Sequence, residues 1–232
     1  MSDISRTQDI MRTVTLHRRK GDAAFQRGNN DAAEEAWEAG LAASAECFAA
    51  LGIPAEVTPA QASDYAASVA SEAAELMGVR GGLLRRLGRT HDALESYRSG
   101  AVWETSHDLP QTYNRTNAFK LAIIVGDRTL AQLREPLRQF RDTLEQRLST
   151  DEHAADDAWL WADLGDVRLL LGDDIGAVSA YQDFATRART NSPVSSLAVL
   201  NEVVQALIAY KDPDAGRTAE VLAKVESVVK AT

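Results

Sequence analysis

The chain has 232 residues, 45% hydrophobic and 25% charged, a balance that belongs to folded globular proteins and excludes a disordered chain. Its formal net charge of −9 argues against a general nucleic-acid backbone binder, which needs excess Lys and Arg to neutralise phosphates. A single cysteine leaves no internal disulfide, and no apolar run reaches the roughly 18 residues of a membrane span.

Apolar residues three and four apart predict a first helix over residues 8–28, with Ile10, Val14, His17, Gly21 and Ala24 inward. Gly28-Asn29-Asn30 ends it. Asp31 is placed to cap a return helix with Ala32, Ala36, Trp37, Leu41, Ala45 and Phe48 inward, which stops at Gly52-Ile53-Pro54. Thr58-Pro59-Ala60-Gln61 has the form of a capping box with proline at the first helical position. The helix it opens is expected to reach Leu87 and to bend near Gly78 or Gly81-Gly82, since each glycine there costs about 1 kcal/mol. Gly88-Arg89-Thr90 then turns the chain into a helix from His91 to Trp103, with Ala93, Leu94 and Tyr97 inward, and a loop follows over Ser106–Pro110.

Residues 111–125 form the next helix, ended by Gly126-Asp127. Its return from Thr129 to Leu148 puts Leu130, Leu133, Leu137, Phe140, Leu144 and Leu148 on one face, with Pro136 either kinking it or starting a new helix. An acidic link over residues 151–157 leads to a helix carrying Trp161, Leu164 and Gly165 on one face. Gly172-Asp173-Asp174 breaks it, and Ala177 and Tyr181 return against it. Pro193 to Tyr210 is a strongly apolar helix, Asp212-Pro213-Asp214 breaks it, and Asp214 to Ala231 carries Ala219, Leu222, Val225, Val228 and Val229.

One frame recurs through these elements, Gly-x6-Gly-x4-Ala-x3-Trp/Tyr. It occurs at Gly21/Gly28/Ala33/Trp37, Gly81/Gly88/Ala93/Tyr97 and Gly165/Gly172/Ala177/Tyr181, where chance would supply roughly 0.03 copies. A weaker copy has Gly126 and Ala131, with Phe119 for the first glycine and Glu135-Pro136 for the aromatic. The frame resembles the tetratricopeptide repeat (TPR), most closely at Trp161, Leu164, Gly165, Gly172, Ala177 and Tyr181. The turn glycines Gly28, Gly88, Gly126 and Gly172 are 60, 38 and 46 residues apart, where a regular array repeats every ~34. The resemblance therefore implies an all-α fold: an irregular TPR-like α-α superhelix, one domain of about five antiparallel helix pairs over residues 8–52, 58–104, 111–149, 151–190 and 193–231. The last pair lacks the frame and is expected to cap the array; alternatively its apolar surplus meets a second copy, giving a homodimer through the C-terminal helices.

Catalytic chemistry is absent from this reading. His17, His91, His107 and His153 are scattered, so no metal is expected, and no glycine-rich phosphate loop or nucleophile with its base occurs. Asp151-Glu152-His153 with Asp156 and Asp157 is a solvated helix start. Cys47, in AASAECFAALG, is a small buried hydrophobe. A non-enzymatic protein without cofactor is expected. Its opening MSDISRTQDIMRT lacks a signal peptide's apolar segment, and its Arg- and Ala-rich composition suits a bacterial cytoplasm.

The TPR resemblance further implies that the first helix of each pair lines a concave groove. Carried over position by position, that face holds Arg18 and Asp22, then Glu75, Gly82 and Arg86, then Tyr113, Thr116, Asn117 and Lys120, then Trp159, Asp163 and Asp166. Asn117 matches the asparagine that peptide-binding members hold against a ligand backbone, and Asn114 and Lys120 flank it by one turn. Arg18 and Asp22 replace the Lys and Asn of the carboxylate-clamp subclass, which argues against a C-terminal-carboxylate reader. Trp159, two residues before Trp161, points off the core face as a binding anchor. The expected function is protein or peptide binding as adaptor, scaffold or regulatory subunit, with no nucleic-acid or membrane partner. The alternative is a sensor for a small molecule or signalling peptide. A sensor predicts an enclosed, ligand-sized pocket; an adaptor predicts an open trough with exposed anchors.

Overall fold

The computed structural model describes residues 3–54, 56–188 and 192–231. Among these, all regular structure is helical, in eleven α-helices and one 3-10 turn, and consecutive helices pack in pairs. No described helix is long and apolar enough to cross a membrane. The chain divides into two compact units, residues 1–118 and 119–232.

In the N-terminal unit, α1 (Asp3–Gln26) and α2 (Asn30–Leu51) form a hairpin, followed by α3 (Pro59–Ser63), α4 (Ala67–Arg86), α5 (Thr90–Ser106) and the first residues of α6 (Tyr113–Ile124). Asn29 rather than Asp31 caps α2: its side chain accepts the Ala32 N–H at 3.2 Å, and Asp31 sits in the first turn. Ala45, expected inward, is exposed, while Ala43, Ser44 and Cys47 are buried. The cause is that α2 packs on α1 and α4 together, so its buried stripe follows two neighbours.

The capping box at Thr58 and Gln61 forms, but its helix stops at Ser63 instead of running to Leu87. No glycine or proline marks this break. Tyr65 sets it from outside, packing edge-on against Trp103 at 5.2 Å and donating its hydroxyl to the Gly52 carbonyl at 3.4 Å. Near Gly78–Gly82, where a bend was expected, α4 runs unbroken through all three glycines. Neighbouring side chains occupy the space the missing Cβ atoms leave, which offsets the glycines' poor helix propensity. One apolar cluster gathers Cys47, Phe48, Leu76, Met77 and Trp103, and another Val14, Ala24, Ala33, Trp37 and Leu83.

The C-terminal unit holds the end of α6, then α7 (Leu130–Thr150), a 3-10 turn (Ala154–Asp156), α8 (Ala158–Leu171), α9 (Asp174–Arg187), α10 (Ser192–Ala209) and α11 (Ala215–Ala231). A second capping box, Thr129 with Gln132, opens α7, which continues as one helix through Pro136. Buried Leu133, Leu137, Phe140 and Leu144 anchor the helix on both sides of the proline, so tertiary packing outweighs the lost hydrogen bond. Leu148 is only half-buried. The helix pair α8–α9 is joined at Gly172, whose φ of +73° is the left-handed conformation that ends α8, and α11 packs on α9. The expected end of the fourth pair, at residue 190, lies outside the described residues.

Candidate functional site

The recurring frame is one physical contact made three times. A methyl group placed on Gly21 would enter the Trp37 ring; on Gly81 it would lie 2.8 Å from Tyr97, and on Gly165 2.5 Å from Tyr181. In each hairpin an aromatic 16 residues downstream fills the place of a missing Cβ. Trp161, expected on one face with Leu164 and Gly165, is half-buried beneath the Arg187 guanidinium, 5.1 Å from its ring centre.

The polar tip of each ring then needs a partner. In two hairpins the residue after the packing glycine supplies it: Asp22 accepts the Trp37 indole N–H at 3.1 Å, and Asp166 accepts the Tyr181 hydroxyl. Each carboxylate also holds a cation. Arg86 clasps Asp22 through two nitrogens at 2.6 and 3.1 Å, and Lys120 Nζ lies 2.6 Å from Asp166. The middle hairpin breaks the rule, because Gly82 stands where the others have aspartate. There the Tyr97 hydroxyl meets the Tyr113 hydroxyl at 3.3 Å, Arg86 donates to the Gly82 carbonyl at 2.9 Å, and space remains over α4.

That space is a half-open cleft of about 310 Å³ within the N-terminal unit. Six of the carried-over or flanking groove residues line it: Arg18, Glu75, Gly82, Arg86, Tyr113 and Asn114. Its closed side is held by Glu104, a residue absent from the sequence-based site. Glu104 reaches from α5 to cap α6 in trans, its carboxylate accepting the N–H groups of Asn114 at 3.0 Å and Arg115 at 3.2 Å. The Asn114 amide donates to Glu104 at 2.8 Å and to the Ala74 carbonyl at 2.9 Å. The signal for Glu104 was the helix start at Tyr113, which has no acidic residue of its own in the first turn.

The remaining predicted site residues divide by burial. Asn114, Thr116, Asn117, Lys120, Asp163 and Asp166 are buried. The Asn117 amide, expected to face a ligand backbone, donates to the Tyr113 carbonyl at 2.8 Å within its own helix. Asp22 and Arg86 are about one-third exposed and bonded to each other. Glu75, Tyr113 and Trp159 are the open ones, the last two 48% and 54% exposed. Trp159 leans on Phe184 with ring centres 5.3 Å apart and is the one exposed residue of α8.

Two further groups bear on chemistry. No cluster of three or more His, Cys, Asp or Glu side chains able to hold a metal occurs among the described residues. Burial pushes the Cys47 thiol up to about 11, and Glu72 adds to the shift. At pH 8 roughly one molecule in a thousand would carry the reactive thiolate. A disulfide reagent should therefore label native protein very slowly and denatured protein at once; rapid native labelling would contradict this burial.

No protein-family model matches the chain, and no curated protein matches it. What the fold defines is an all-α protein of sequentially paired helices.

Proposed function

We propose that this chain is a divergent TPR-like interaction module that binds a protein or peptide without catalysing a reaction, serving as adaptor, scaffold or regulatory subunit. The observation that carries the proposal is Trp159. Every other residue of α8 is buried or half-buried, yet this one of its two tryptophans is exposed to solvent. Exposed tryptophans on a rigid helix are effective anchors, because they bury a large area while losing little conformational freedom. The test is capture of a partner, reconstitution with the purified components, and comparison with Trp159→Ala. Loss of an anchor should cost about 2 kcal/mol, near thirtyfold in Kd. Equal affinity of both proteins, with unchanged circular dichroism, would remove Trp159 from the interface and this reading with it.

A second reading, a sensor for a small ligand, is favoured by one specific feature. The N-terminal cleft has a volume at the lower end of small-molecule sites and arises where Gly82 replaces the aspartate of the sister hairpins.

A further inference from the structure

The two ends of the N-terminal cleft differ in chemistry. Positions along it are fixed by α2: a methyl group on Gly40 would lie 3.1 Å from Leu83 of α4 and 3.4 Å from His17 of α1. Further along, Asp22 of α1 is bonded to Arg86 of α4. Going from residue 17 to 22 on α1 thus matches going from 83 to 86 on α4, so the two helices run the same way. Arg18 accordingly stands level with Gly82 and Leu83. The Tyr113 ring covers Gly78, where an added methyl would approach it to 3.1 Å, and its hydroxyl reaches forward to Tyr97 beside Gly82.

The direction of the Tyr97–Tyr113 hydrogen bond follows from burial. Two phenols carry two protons and share one bond. Tyr97 is buried, and among the described residues its hydroxyl has no acceptor but Tyr113, whereas Tyr113 is half open to solvent. A buried O–H left unpaired costs about 1–3 kcal/mol, so Tyr97 donates and Tyr113 keeps its proton for the cleft. Burial also holds Tyr97 protonated, well above the usual phenol range. The Gly82 end therefore offers the cleft Arg18 and a phenol O–H, both donors, beside the paired Arg86 and Asp22.

Glu75 stands at the other end, two turns before Gly82 on the same face of α4 and about 10 Å away along the helix axis. Gln111 is also there, bonded to Ser71 through Nε2 at 2.9 Å, with its buried Oε1 unpaired. Among the described residues neither Arg18 nor Glu75 makes an ion pair. At the Gly82 end Asp22 already neutralises Arg86, so among the described residues it is Arg18 that is left without an anion and Glu75 without a cation.

We infer that the cleft binds a small zwitterion whose carboxylate and ammonium are several bonds apart, the carboxylate on Arg18 and Tyr113 and the ammonium on Glu75. The inference rests on the second reading above, that the cleft takes a small ligand. An α-amino acid holds its charges too close together to reach both ends; an ω-amino acid spans them.

The experiment titrates the full chain with glycine, 4-aminobutanoate and 6-aminohexanoate, and with hexanoate and hexylammonium as single-charge controls, following amide chemical shifts around Gly78 and Gly82. Affinity should rise from glycine to 6-aminohexanoate, and each single-charge control should bind more weakly by about fivefold, the scale of one partly solvated ion pair. Arg18→Gln and Glu75→Gln should each weaken 6-aminohexanoate by a similar factor, and Tyr113→Phe should weaken it without altering the helical circular dichroism. If hexanoate or hexylammonium binds as tightly as the zwitterion, or none of the probes binds, the inference is overturned. A neutral-fragment screen read by the same shifts separates the failures: fragments that occupy the cleft leave the small-ligand reading standing, and an empty screen removes both.

Discussion

Replacing Lys120 by methionine should destabilise the protein by about 3–5 kcal/mol, because it strands a buried carboxylate. The Lys120 and Asp166 side chains are 8% and 5% exposed, and their 2.6 Å contact is the carboxylate's ion pair inside the C-terminal unit. Asp166 also accepts the Tyr181 hydroxyl, so its position is tied to the ring that packs on Gly165. Without the ammonium, the carboxylate must remain charged in a medium that solvates it poorly or take up a proton, and either lowers stability. The melting midpoint should fall on the order of 10 °C for a chain of this size. Adding Asp166→Asn should recover part of the loss, since a neutral amide needs no cation and still accepts from Tyr181. The analogous pair in the N-terminal unit gives an internal control. Arg86 and Asp22 are about one-third exposed, so Arg86→Met should cost less than about 1 kcal/mol. Equal losses at the two sites, or none at Lys120, would mean that Asp166 is not buried as described.

The features legible in the sequence are those whose partners lie close along the chain. Gly21 with Trp37, Gly81 with Tyr97 and Gly165 with Tyr181 are each 16 residues apart within one hairpin, so spacing alone specified the contact. The turn glycines were legible for a similar local reason: Gly28, Gly88 and Gly172 all take positive φ. What escaped the sequence depends on distant partners. The break after Ser63 is made by Tyr65 against Trp103, 38 residues on, and no breaker residue announces it. Asn114 and Lys120 were placed on an open face because the TPR resemblance carries the groove position of Asn117 over onto α6. It cannot reveal that Ala74, Glu104 and Asp166 wait across the helix interface to receive them. One clue was nevertheless present. Aspartate follows the packing glycine at Asp22 and Asp166, and glycine replaces it at Gly82. Pairing the first two with the polar tips of Trp37 and Tyr181 marks them as internal and singles out the Gly82 position as the place where space is left.

Gly165→Leu should be the most damaging change in the α8–α9 hairpin, because the space its side chain would need is held by a ring that cannot leave. An added Cβ alone would stand 2.5 Å from Tyr181 Cδ2, and leucine adds three more carbons. Tyr181 is fully buried, packs edge-on to Phe184 at 6.1 Å, and is fastened at its hydroxyl by Asp166. Overpacking of this kind costs about 1–3 kcal/mol or more, and displacing the ring would also disturb the acceptor of the Lys120 pair. Helix propensity pulls the other way by about 1 kcal/mol, so the sign of the result decides whether packing dominates at this glycine. Gly216→Ala isolates the propensity effect: an added methyl there meets nothing within 4 Å, and α11 should gain a fraction of 1 kcal/mol. Tyr181→Ala combined with Gly165→Leu should be less destabilised than the sum of the two single changes, because leucine then occupies room the ring has vacated. A melting midpoint for Gly165→Leu at or above that of the unaltered protein would show that the hairpin is not closed by this contact. The same doubt would then extend to the equivalent contacts at Gly21 and Gly81, since all three rest on one geometry.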